Sequence, residues 1–252
     1  MERSVNFENC RGEKLAGVLH CPDGGVSHAG AVLCHGMEST KSSAKIVAMS
    51  TALRNRGLYA LRFDFAGSGE SKGDFAEISY SRQVDDLSAA VAWLMETGVK
   101  RVGLIGSSMG GTVALLYTGC RASVGAIATI AAPSDPFETV RQIATEHDLD
   151  RWDARGFTEY HGRHLNTTFL DDIRQLDVVG AAARVTCPVL LIHGDADETV
   201  PVVQAHRVYA VLKGDKRLRV LPGADHRLSK QADLTVAMQD AEDWIVRHLE
   251  TP

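Results

Sequence analysis

No apolar run in this sequence approaches the ~20 residues that a membrane-crossing helix needs. The opening Met1-Glu2-Arg3-Ser4-Val5-Asn6-Phe7 lacks the apolar core of a secretory leader. Basic tracts are missing, which argues against a nucleic-acid partner, and so are acidic blocks that would mark a disordered tail. The formal net charge of −5 arises instead from both signs spread along the chain. Cysteine is sparse: Cys10, Cys21, Cys34, Cys120 and Cys187 are an odd, scattered set without metal-ligand spacing. Cys34 and Cys187 lie in or beside apolar strand-like runs, where a reduced, buried thiol is expected. Repeats and low-complexity segments are also absent. These absences lead us to expect a soluble cytoplasmic protein with no metal, no cofactor, and neither nucleic acid nor membrane as a partner.

What is present is alternation. The 252 residues suffice for one large α/β domain that buries roughly three quarters of its unfolded surface. Val5-Asn6-Phe7 and Leu15 to Leu19 flank a polar turn and read as an antiparallel hairpin. A Pro/Gly loop follows, and then Ala31-Val32-Leu33-Cys34, a short strand apolar on both faces that ends in His35-Gly36-Met37. Helical spacing runs from Ser42 to Arg56, strand character from Leu58 to Asp64, and an amphipathic helix from Tyr80 to Glu96 with Val84, Leu87, Val91 and Leu94 on one face. Val102 to Gly106 reads as strand and Thr112 to Tyr117 as helix, followed by a strand from Val124 to Ile130. The rhythm then stops from Pro133 to about Ala183, a stretch with helical segments that we read as a helical insertion over one end of the sheet. It resumes with strand Pro188 to His193, a helix from Val200 to Leu212, strand Leu218 to Leu221, and a last helix from Ala232 to Leu249. Such alternation implies a mostly parallel sheet with helices on both faces.

Gly106-Ser107-Ser108-Met109-Gly110 fits G-x-S-x-G, a strand–turn–helix that strains a nucleophilic serine into an exposed position. A serine hydroxyl is a poor nucleophile at neutral pH and needs a base, and the base needs a partner that fixes its tautomer. Open parallel sheets build their sites at the carboxyl ends of strands. His193-Gly194-Asp195-Ala196-Asp197 offers carboxylates at one such end, and Leu221-Pro222-Gly223-Ala224-Asp225-His226 offers an imidazole at the next. The chain order is Ser, Asp, His.

The sequence resembles an α/β-hydrolase of the esterase/lipase group, similar to small cap-bearing carboxylesterases, cinnamoyl esterases and S33-type peptidases. The resemblance rests on His35-Gly36-Met37, on Phe63 to Ser71, on Gly106 to Gly111, on His193 to Asp197 with Val200-Pro201, and on Gly223 to His226, in the family's order. It implies an α/β-hydrolase fold: a mostly parallel twisted sheet with helices on both faces, a single domain over residues 1–252, and residues 133–183 as a short helical cap. It implies Ser108 as nucleophile, His226 as general base and then acid, and Asp197 as the orienting carboxylate. Asp197 stands three residues beyond Gly194, the family's spacing, while Asp195 competes for the role. The oxyanion would be held by the backbone N–H groups of Met109 and of Met37, which matches the family's early-loop donor.

Ordinary readings apply to the remaining candidates. His35 and His193 read as buried structural histidines, and His147, His161 and His164 as surface residues of the insertion, one of which could touch substrate. His206 and His248 read as exposed on helices. Asp225 reads as loop-capping, and Asp64 as an acceptor for loop N–H groups. Gly67-Ser68-Gly69 lacks the third glycine and the lysine of a nucleotide loop. Trp152, Phe157 and Tyr160 read as a small core of the insertion. The resemblance implies a carboxylic ester hydrolase working through an acyl-enzyme, its partner a small-molecule ester (or amide); a homodimer and a monomer both stay open. The competing functions are a serine aminopeptidase or amidase of the same fold, and a non-catalytic binding member.

Overall fold

The computed structural model describes residues 1–23 and 27–250, and the Pro/Gly loop expected before Ala31 runs in part through residues outside that set. The chain opens with the expected hairpin, β1 (Glu2–Glu8) against β2 (Lys14–His20), in register from Glu2 opposite His20 to Glu8 opposite Lys14. Then β3 (Ala29–Cys34), α1 (Ala44–Asn55), β4 (Tyr59–Phe63), α2 (Tyr80–Glu96), β5 (Arg101–Ser107), α3 (Met109–Cys120) and β6 (Ala126–Ile130) follow in alternation. The insertion contains α4 (Pro136–Arg141), α5 (Glu146–Arg155), β7 (Phe157–Tyr160), β8 (Arg163–Asn166), α6 (Thr167–Gln175) and α7 (Val178–Ala182). The chain ends with β9 (Val189–Gly194), α8 (Val203–Val211), β10 (Lys216–Leu221) and α9 (Gln231–Glu250).

Eight strands form one sheet in the order β1-β2-β4-β3-β5-β6-β9-β10, parallel from β4 onward, with β2 antiparallel to both of its neighbours. The residue types explain why the central strands are buried on both faces. Along β3, Val32 and Cys34 join the core on the α2–α3 side, while Ala31 and Leu33 join the core on the α1–α9 side. Period-two side chains of an extended strand enter opposite layers, so a continuous apolar run is needed when both layers are covered by helices. The helices supply the covering stripes. Leu87 and Leu94 of α2 are fully buried, each contributing about 1.5–3 kcal/mol relative to exposure. Ser79 starts α2 by accepting the Arg82 N–H at 3.2 Å.

The connection order places the site. From β3 the chain moves through α1 to β4 on one side, and from β4 through α2 to β5 on the other. The loops leaving β3 and β5 therefore diverge at the boundary between two adjacent parallel strands, leaving the crevice where open α/β sheets bind ligands.

The insertion corrects one expectation. It is not purely helical: β7 and β8 form an antiparallel hairpin outside the main sheet, with Tyr160 opposite Arg163. His161 and Gly162 turn it with positive φ values of 49° and 75°, the backbone that two-residue hairpin loops require. Around it, Leu149, Trp152, Phe169, Leu170 and Ile173 are buried, and Trp152 stacks on Phe169 with ring centres 6.2 Å apart. Polar ties also hold the insertion on the sheet domain: Asp172 accepts the Ser81 hydroxyl at 2.5 Å, and the buried Gln204 side chain accepts the N–H groups of Ser134 and Asp135.

Candidate active site

Ser108 sits between the end of β5 and the start of α3 with φ 52° and ψ −123°, outside the regions a β-carbon favours. Such a conformation costs roughly 1–3 kcal/mol and must be held by its surroundings. Two glycines allow it. A β-carbon on Gly106 would lie 2.3 Å from the Gly110 carbonyl oxygen, and one on Gly110 would lie 2.4 Å from that of Cys34. The Ser108 N–H is fixed by the Ile130 carbonyl at 2.8 Å on the neighbouring strand. Behind the turn, the Lys45 ammonium donates to the Ser107 hydroxyl at 3.0 Å, and burial pushes Lys45 below its ordinary pKa. Nothing in the sequence singled out Lys45: it is one of many lysines, and its partner lies 62 residues away.

From this turn a chain of polar contacts crosses three strand ends. Ser108 Oγ lies 3.1 Å from His226 Nε2 in the loop after β10, and His226 Nδ1 lies 2.8 Å from Asp197 Oδ2 in the loop after β9. A carboxylate can only accept, so Nδ1 carries the proton and Nε2 is left to accept from the serine hydroxyl. Asp197 Oδ1 accepts the N–H groups of Thr199 at 3.0 Å and Val200 at 2.7 Å. His193 Nε2 donates to the Val200 carbonyl at 2.7 Å and lies 3.3 Å from Asp197 Oδ2. Burial alone would raise the Asp197 carboxyl. The hydrogen bonds from His193, His226 and Val200 outweigh it and hold the group well below the usual carboxylate range.

The two competing acids are separated by their surroundings. The Asp197 side chain is fully buried against His226. Asp195 is exposed and accepts the Gly223 N–H at 2.5 Å, which ties the β9 loop to the start of the His226 loop. Asp225 points elsewhere, accepting the Ser229 N–H at 2.8 Å.

The loop after β3 closes the other side of Ser108. A β-carbon on Gly36 would lie 3.3 Å from Ser108 Cβ, so the backbone leading into Met37 passes directly beside the serine. His35 shapes this loop: its Nδ1 donates to the Gly36 carbonyl at 2.8 Å, and its Nε2 accepts the Phe65 N–H at 3.1 Å. Burial pushes the His35 pKa down, in keeping with a neutral ring that donates once and accepts once. Met109 is the first residue of α3, where a helix N–H has no intrahelical acceptor. Asp64 accepts the N–H groups of Lys41 and Glu70 and the Lys41 ammonium, so it is bound into its loop. His248 departs from expectation. Rather than standing exposed, it is half-buried between the Trp244 carbonyl and Asp215. Among the described residues no cluster of His, Cys, Asp and Glu could hold a metal ion, and no helix is long and apolar enough to cross a membrane.

Fold and sequence together define a serine hydrolase of the α/β-hydrolase superfamily. Residues 44–251 match the model of the prolyl oligopeptidase family, and the chain belongs to that family. The chain is similar to the mitochondrial palmitoyl-protein thioesterase ABHD10 of Mus musculus, 26% identical over 230 residues that cover 86% of this chain and 75% of that protein. Among solved structures, Est1E from Butyrivibrio proteoclasticus with bound ferulic acid superposes with a TM-score of 0.87 at 22% identity, covering 98% of this chain and 100% of that one. The esterase domain of a Rhodothermus marinus protein superposes with a TM-score of 0.75 at 28% identity, covering 99% of each chain.

Proposed function

We propose that this chain hydrolyses carboxylic esters through an acyl-enzyme on Ser108. The observation that carries the reading is the contact chain from Ser108 Oγ through His226 to the buried Asp197, at 3.1 and 2.8 Å. As the hydroxyl attacks the acyl carbon, its proton passes to His226 Nε2, and Asp197 stabilises the resulting imidazolium. The tetrahedral oxyanion is held by the N–H groups of Met109 and Met37, an arrangement in which one lost donor costs about 2.7–4 kcal/mol. Collapse breaks the bond to the leaving alkoxide, which takes the proton from His226. Water then gives its proton to the same nitrogen, attacks the acyl carbon and releases the acid, and Ser108 recovers its proton.

Two leaving groups compete with an alkoxide. The family's description favours an amine, and the name of the mouse relative favours a thiolate. All three use the same nucleophile, base and oxyanion donors. The test of the common reading is reaction with a fluorophosphonate followed by peptide mass spectrometry. Modification of Ser108 is expected in the wild type and not in Ser108→Ala, while an unmodified Ser108 in folded wild-type protein would remove the reading. Matched oxygen-ester, thioester and anilide substrates of one acyl group then rank the leaving groups by kcat/KM, with the oxygen ester expected first.

A further inference from the structure

Glu38 immediately follows Met37, and three side chains from two other segments converge on its carboxylate. The Tyr160 hydroxyl donates to Oε1 at 2.6 Å and His161 Nε2 lies 2.9 Å from the same oxygen, both from the tip of the β7–β8 hairpin. Arg227, the residue after His226, donates to Oε2 at 2.8 Å. One side chain thus joins the loop beside Ser108, the loop carrying His226, and the inserted hairpin. The Tyr160 hydroxyl chiefly, with His161 and Arg227, keeps the carboxyl below its ordinary range despite partial burial. The hairpin it grips is braced from below. Arg163 lies over the Phe75 ring at 3.5 Å, Tyr160 stacks on Phe75, and Asn166 donates to Glu77 at 2.5 Å.

Exposed ion pairs of this kind contribute little to stability, so stability alone does not account for the convergence. Both core partners adjoin groups that must be aligned to react: Met37, assigned above as an oxyanion donor, and His226. We propose that Glu38 is a positioning residue for hydrolysis, using the cap hairpin as a brace that sets the spacing between the Met37 N–H and His226. This rests on the acyl-enzyme reading above. It extends that reading by giving the insertion a part in turnover, reached through Tyr160 and His161.

The test is steady-state kinetics on p-nitrophenyl acetate, with melting temperatures, for wild type, Glu38→Ala, Glu38→Gln, Tyr160→Phe and the Glu38→Ala/Tyr160→Phe double variant. A misplacement of ~1 Å can cost up to about 100-fold, so Glu38→Ala is expected to lower kcat by about 10-fold or more, with KM within about threefold. Glu38→Gln keeps an acceptor for Tyr160 and should recover part of that loss. Tyr160→Phe, which alters no residue of either core loop, should lower kcat by itself and add nothing to Glu38→Ala. If Ser108 reacts with the fluorophosphonate but kcat of Glu38→Ala stays within about twofold of wild type, the positioning role is wrong and the hydrolase reading stands. A kcat loss that is additive in the double variant, or that follows the melting temperature across the series, overturns it equally. If wild-type Ser108 does not react at all, both readings fall together.

Discussion

Replacing Asp197 by asparagine changes one atom and tests the ordering of the whole site. The carboxylate accepts the N–H groups of Thr199 and Val200 on Oδ1, and faces His226 and His193 on Oδ2. The two backbone donors are fixed by the loop, so the asparagine oxygen is expected to stay on them and its NH₂ to turn toward His226. An NH₂ group can only donate there. His226 Nδ1 must then accept, which moves the ring proton to Nε2, and Nε2 can no longer take the proton from Ser108. A triad held in the wrong tautomer loses on the order of 10⁴ in kcat, about 5.4 kcal/mol of transition-state stabilisation. The measurement is kcat/KM for a short p-nitrophenyl ester alongside a melting curve that shows the variant folded. Asp195→Asn is the control. It weakens one tie to the Gly223 N–H and should cost far less. A folded Asp197→Asn enzyme within about tenfold of wild type, or an Asp195→Asn enzyme more damaged than it, would refute the assignment of the orienting carboxylate.

Other consequences of the structure are independent of that one. Gly110→Ala would drive a β-carbon to 2.4 Å from the Cys34 carbonyl oxygen, where only backbone could yield, so soluble yield and melting temperature should both drop sharply. Leu87→Ala on α2 removes a fully buried side chain and should cost about 2–5 kcal/mol in urea unfolding with little effect on KM. Burial, and then the neighbouring Asp243, raise the Glu242 carboxyl to about 7, with Arg56 opposing. Its folded pKa exceeds its unfolded one, so the folded state holds its proton longer and stability falls as pH rises from about 4.5 toward 7. Glu242→Gln should therefore raise the melting temperature at pH 8 more than at pH 5, and an equal shift at both would contradict this.

Much of the sheet was legible because its residues leave little choice. A run such as Ala31 to Cys34 can be satisfied only between two covered faces, and the Tyr80–Glu96 helix was readable because its apolar stripe is unbroken. The start of α3 was harder. Helix begins at Met109, three residues before Thr112, because close packing of Gly110 and Gly111 against β3 and β6 overrides their poor helix propensity. The β7–β8 hairpin escaped notice because its strands have four residues each and mixed polarity, with no clean alternation. Its one signal was Gly162 in a two-residue turn, with His161 in place of the more usual asparagine or aspartate. At the site, the Ser108 turn stood out in local pattern, while His226, and Asp197 over Asp195, came from a resembling family. Glu38 and Lys45 could not be named. Their roles depend on which distant loop each one meets: Arg227 stands 189 residues from Glu38, and Ser107 62 residues from Lys45.

The central claim is a covalent acyl group on Ser108 during turnover. Rapid quenching of the enzyme with p-nitrophenyl acetate, followed by digestion and peptide mass spectrometry, reads it directly. One acetyl group on the peptide containing Ser108 is predicted, transient in the wild type and absent in Ser108→Ala. Hydrolysis with that peptide unmodified throughout, or with the acyl group on another residue, would contradict the account.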